Sequence, residues 1–201
     1  MLKIIFALVL TFIGSLWIDI LFSRSRVILS FPDELEKRAR FRKIFLFIGF
    51  FFCTDLIYNR QPIEFFYLMT AVFFLLIITM TDFEQYVIFD QMLIIFFALG
   101  LISIFALNLN FTIRIFFSIT GAVLFAVLAI LTHGGIGGGD VKLIGVLGIW
   151  LGIYLIDVVI YGFILGGIFA VILLALKIKQ RTDFFAYGIY FSMTALYFLV
   201  S

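Results

Sequence analysis

A chain that is 65% hydrophobic offers few groups able to do chemistry, and here the most suggestive are carboxylates. Asp82 closes one apolar run, and Asp90 follows eight residues later, just inside the next. Eight residues are about two helical turns, so the two face a similar direction if 82–90 is helical. Asp140 closes the segment Gly134-Gly135-Ile136-Gly137-Gly138-Gly139, five glycines in six positions, and Val141-Lys142-Leu143 then opens another apolar run. A backbone so poor in side chains reaches φ > 0 and lets another chain come close. Asp19, Asp55, Glu64, Glu84, Asp157 and Asp183 are the other candidates, because charge at membrane depth is costly and marks function unless it sits at a span end.

Two readings of Asp140 stand side by side. An Asp before an apolar helix is a good N-cap, accepting a bond from the free amides of the first turn. Paired with Asp82, it becomes half of a carboxylate dyad. Two adjacent carboxylates do not readily both ionise and so share one proton. One draws a proton from water while the other acts as acid toward a scissile carbonyl or leaving amine. That chemistry hydrolyses a peptide without a Ser or Cys nucleophile. The single Cys53 and single His133 offer no Cys/His zinc set, so neither a metal nor a cofactor is expected.

The elements that must position these groups are apolar helices. With 29 Phe in 201 residues, the chain reads as an all-α polytopic membrane protein forming one domain, 1–201. About eight spans are expected, near 3–22, 44–58, 63–81, 87–107, 111–132, 142–156, 158–176 and 184–200. The sixth and seventh are separated only near Asp157. The runs are continuous and not alternating, which excludes a membrane barrel. Net charge is only +2, but its distribution sets orientation. Eleven of the fourteen basic residues fall at 24–43, at Lys142, and at Lys177, Lys179 and Arg181. Placing these in the cytoplasm puts the amino terminus outside and brings 82–86 and 133–141 to the cytoplasmic face. Segment 23–43 is a short basic cytoplasmic loop, in which Pro32 followed by an acidic and basic run predicts an amphipathic helix lying on lipid. The bilayer is one expected partner; nucleic acid is not.

The stretch Gly137–Leu143 resembles the glycine-loop motif of the type IV prepilin peptidases, the GxGD aspartic membrane proteases, at Gly137, Gly139, Asp140, Lys142 and Leu143. Asp82 to Asp90 resembles the other half of that motif, an Asp followed eight residues on by a second Asp or Asn. Gly14-Ser15 through Arg24 and Phe184 to Leu196 resemble the family's two ends more faintly. The resemblance implies Asp82 and Asp140 as the catalytic pair, with Asp90 non-catalytic; spacing alone does not choose between Asp82 and Asp90. It implies cleavage of the short basic leader of a prepilin or pseudopilin-like protein on the cytoplasmic side of a bacterial inner membrane, or of an archaeal cell membrane. Departures from the pattern are Ile136 for Met, Phe89 for Pro and Asp19 for Asn. The first cytoplasmic loop also lacks the paired CxxC motifs, so N-methyltransferase activity is not expected.

Other classes fit a Gly-broken segment beside carboxylates: a small ion-coupled transporter, or a non-catalytic subunit of a pilus or secretion assembly. The oligomeric state is left open by the sequence. Helix-end electrostatics add an asymmetry. Asp140 would lie at a helix amino end, which favours an anion, and Asp82 at a carboxyl end, which does not. The shared proton would then rest mainly on Asp82. Gly137, Gly138 and Gly139 would present amides and carbonyls that pair with an extended substrate as an added strand, and Lys142 would hold the anion or touch lipid phosphate. Gly137→Val and Gly139→Val are therefore expected to insert normally and to cut kcat at least as much as they raise KM, checked by cleavage kinetics beside a membrane-insertion assay.

Overall fold

The computed structural model describes residues 2–133, 135–177 and 186–201, and all its regular elements are helical. They are α1 (Leu2–Arg24), α2 (Leu35–Arg38), α3 (Arg42–Ile57), α4 (Pro62–Gln85), α5 (Asp90–Ala106), α6 (Phe111–Leu131), α7 (Gly138–Leu151), α8 (Leu155–Ala175) and α9 (Gly188–Val200). Each apolar run read from the sequence corresponds to one α-helix, with ends that differ by a few residues. Gly134, Lys179, Arg181 and Asp183, with the expected start of the last span at 184, lie outside the described residues. Among the described residues, four stretches are long and apolar enough to cross a membrane: Leu2–Arg24, Pro62–Gln85, Phe111–Leu131 and Gly138–Ala175. The last joins α7 to α8 through a 3-10 turn, and α5 and α9 are apolar but shorter.

Several boundaries differ from expectation, among them the carboxyl end of α4 at Gln85 and both ends of α7. The α7–α8 junction lies at Gly152, not near Asp157. Gly152 takes φ +59, a conformation that costs glycine little, and Arg114 from α6 donates to the free carbonyls of Ile149 (2.8 Å) and Trp150. The amino end of α7 lies at Gly138, four residues before the expected 142, so Gly138 and Gly139 are helical and not loop.

α4 is the central post. Nearly all of its last turns are buried, and it packs against α1, α3, α5 and α9. Aromatic stacking continues across it, with Phe74 on Phe96 and Phe96 on Trp150. The Trp150 Nε1–H donates to the Phe96 carbonyl at 3.0 Å, tying α7 to α5. α6 and α7 meet through small residues, as apolar helices do where backbones approach closely. The Ser118 hydroxyl reaches the Gly145 carbonyl at 2.6 Å, and a Cβ on Gly148 would lie 2.4 Å from the Ser118 backbone. The outer faces of α6 and α8 expose large apolar side chains such as Ile130 and Val171, a surface suited to lipid.

The short helix expected after Pro32 is present as the single-turn α2 flanked by 3-10 turns, and the segment 25–41 that holds it docks on the end of α4. The Phe31 amide donates to Gln85 Oε1 (2.8 Å), Gln85 Nε2 donates to the Phe31 carbonyl (3.1 Å), and Arg38 donates to the Glu84 carbonyl (3.2 Å). The carbonyls that end a helix need partners, and this segment supplies them.

Overpacking a backbone contact costs about 1–3 kcal/mol, so Gly148→Ala is expected to lower stability by that amount. Gly167→Ala, with nothing within 4 Å of its Cβ, is expected to be neutral or slightly stabilising. Thermal unfolding of both variants in detergent checks the contrast.

Candidate active site

The last turn of α4 carries Asp82, whose side chain points inward, leaving the residue 5% exposed. The helix stops at Tyr86, which takes the left-handed φ of 54 while its amide donates to the Asp82 carbonyl at 3.0 Å. Residues 87–89 are then irregular, and Asp90 opens α5. The continuous helix that would align Asp82 with Asp90 is therefore broken. The Asp90 carboxylate instead meets Lys142 Nζ at 2.7 and 2.8 Å on an exposed surface. Lys142 thus joins the two motif halves at their rim.

Asp140 stands at the third position of α7 and is 8% exposed. The N-cap of that helix is Gly137, with no side-chain cap bond, so Asp140 is not the cap and stands inside the first turn. The Asp140 amide donates to the Gly137 carbonyl at 3.0 Å, and a Cβ on Gly137 would lie 3.3 Å from Asp140 Oδ2. With Gly137 at φ −68, no left-handed backbone is needed at the start of the helix.

The amino end of α9 brings the two carboxylates together. The Ile189 amide donates to Asp82 Oδ2 at 2.9 Å. A Cβ built on Gly188 would lie 2.7 Å from Asp82 Oδ2 and 3.1 Å from Asp140 Oδ1. The two oxygens are therefore no farther apart than those distances laid end to end, and one water molecule can touch both. Gly188 is the residue sequence reasoning missed. Its only signal was a glycine at the start of an apolar run, a position that commonly marks a turn. Because α9 also turns its free amides toward Asp82, both carboxylates face helix amino ends, and helix-end electrostatics no longer distinguish them.

Two further features surround the pair. On the far side of α4, Arg42 contacts both oxygens of Glu84 (2.8 and 2.5 Å) and also Asp19 of α1. Beside Asp82 runs a largely apolar groove of about 570 Å³, walled by Thr79, Phe83, Tyr86, Ile189 and Tyr190, with Arg38 the one charged lining residue among the described residues.

Buried carboxylates from separate helices, meeting over helix amides beside an apolar groove, are equipped to activate water against a carbonyl. The model for the type IV leader peptidase family matches residues 69–176, a span that holds both carboxylates and the glycine segment. The chain matches no curated protein and no solved structure.

Gly188→Ala is expected to cost about 1–3 kcal/mol by crowding the carboxylates. Most of that cost is expected to be relieved when Asp82 is shortened to Ala. A double-mutant cycle by thermal unfolding in detergent measures the coupling; a coupling near zero contradicts the contact.

Proposed function

Because the chain belongs to the type IV leader peptidase family, we propose that it is an aspartic endopeptidase that removes the leader of a prepilin or pseudopilin-like protein, with Asp82 and Asp140 as the catalytic pair. The observation that carries this reading is the approach of both carboxylates to Gly188 from two different helices. One carboxylate, ionised, takes a proton from the attacking water. The other, protonated, donates to the carbonyl oxygen and, as the tetrahedral intermediate collapses, a proton passes to the leaving amine. The pair titrates as a unit, so the roles belong to the dyad and not to a fixed member. The apolar groove accepts the hydrophobic stretch that follows the leader, with the scissile bond at its Asp82 end. Gly137, next to Asp140 Oδ2, and the first-turn residues Gly138 and Gly139 support the loop and keep its backbone accessible to an extended peptide.

All eight long helices span the bilayer in this reading, with the amino terminus outside and the dyad at the cytoplasmic boundary. Support comes from the ends that meet. Asp19, Arg42 and Glu84 join at the dyad end, together with the basic 23–41 segment. Lys3 pairs with Asp55, and Arg60 reaches the Ser201 carbonyl, at the opposite ends of the same helices. Helices α1, α3, α4 and α9 therefore alternate in direction, as successive spans must. The cytoplasmic membrane of a bacterium is the expected setting, and no N-methyltransferase activity accompanies the peptidase.

The test uses purified protein in detergent with a leader-bearing pilin-like substrate. Wild type is expected to cut once, at the leader junction, and Asp82→Asn and Asp140→Asn are each expected to be slower by at least about a hundredfold. An Asp→Asn variant that keeps wild-type turnover rejects the assignment.

A further inference from the structure

We propose that Arg42 is a positioning residue for the peptidase: it acts through Glu84 to fix the rotation of the last turn of α4 and so the direction in which Asp82 points. This inference rests on Asp82 being catalytic. Asp82 lies three residues from the end of α4, and terminal helical turns are prone to fray. Successive residues in a helix are about 100° apart, so side chains two residues apart leave on nearly opposite faces. Asp82 faces α7 and α9, while Glu84 faces α1 and α3. Whatever holds Glu84 therefore holds Asp82 from behind.

The hold is a guanidinium fork. Arg42 Nε donates to Glu84 Oε1 at 2.8 Å and Nη2 donates to Oε2 at 2.5 Å, while Nη1 reaches Asp19. The Arg42 and Glu84 side chains are 3% and 0% exposed. A planar fork bonded to both carboxylate oxygens fixes orientation as well as distance, which a flexible ammonium does not. Arg42 opens α3 and Asp19 lies in α1, so the fork references the α4 end to two other helices. Gln85, the adjacent residue, is clamped to Phe31 by two hydrogen bonds. A need for stability alone does not explain such a pair, because apolar residues of similar volume replace buried ion pairs at little or no cost. Orientation is what the apolar replacement lacks.

That difference supplies the experiment, run on the full chain in detergent. The double variant Arg42→Met/Glu84→Met is expected to melt within about 5 °C of wild type and to lose at least tenfold in kcat with KM changed less than twofold. Arg42→Lys, which keeps the charge and loses the fork, is expected to lose kcat in the same way. A folded double variant with wild-type kcat overturns the proposal, as does an activity loss that only tracks the loss of folded protein. If the double variant does not fold, Arg42→Lys is judged by the same criteria. Should wild type cleave no leader-bearing substrate, the peptidase reading fails by itself. The geometric claim is then read from the coupling between Gly188→Ala and Asp82→Ala in thermal unfolding: it shrinks in an Arg42→Lys background if the fork aims Asp82, and unchanged coupling overturns that claim.

Discussion

Two carboxylates withdrawn from water and set against one glycine are the constraint that organises the rest of this structure. Each loses hydration on burial, and each raises the cost of ionising the other. The fold meets part of that cost at Asp82, to which the Ile189 amide donates. It is one of the N–H groups that a helix end would otherwise leave unpaired. Three helix termini converge on one point, and a side chain on Gly188, at the start of α9, would occupy the space the carboxylates need.

The surrounding helices keep those termini in register. α4 cannot slide without breaking the Arg42–Glu84 pair behind it or the Phe31–Gln85 bonds at its tip. α7 is held by the close α6 contact at Gly148 and by the Trp150 bond to α5. The polar interactions gather at the ends of the bundle, and its middle is Phe, Leu, Ile and small residues. That division suits the proposed hydrolysis at a membrane boundary, with the exposed apolar faces of the outer helices turned to lipid.

Much of this was legible in the sequence. Eight apolar runs gave eight helices, because a continuous run of that length has few other ways to satisfy its backbone. The carboxylates of interest were visible because charge is rare in such a chain. The docking of segment 23–41 was not legible, since its charges read equally well as a lipid-facing patch. Arg42 was counted among basic residues that set orientation, and nothing local announced that its partner lay 42 residues on, at Glu84. Gly188 was invisible for the same reason: its role depends on contacts with residues 82 and 140, which no local pattern encodes. The break expected at 82–86 comes only at Tyr86, because α4 continues to Gln85 and a Tyr in the left-handed region carries no glycine to mark the stop.

The central claim is that Asp82 and Asp140 act as one catalytic unit. Single-turnover cleavage by the Asp82→Asn/Asp140→Asn double variant, set beside both single variants, measures this most directly. Members of one unit are strongly non-additive. The account predicts that the double variant is no slower than the slower single variant. Losses that multiply, or a double variant that still cleaves at the wild-type rate, would contradict it.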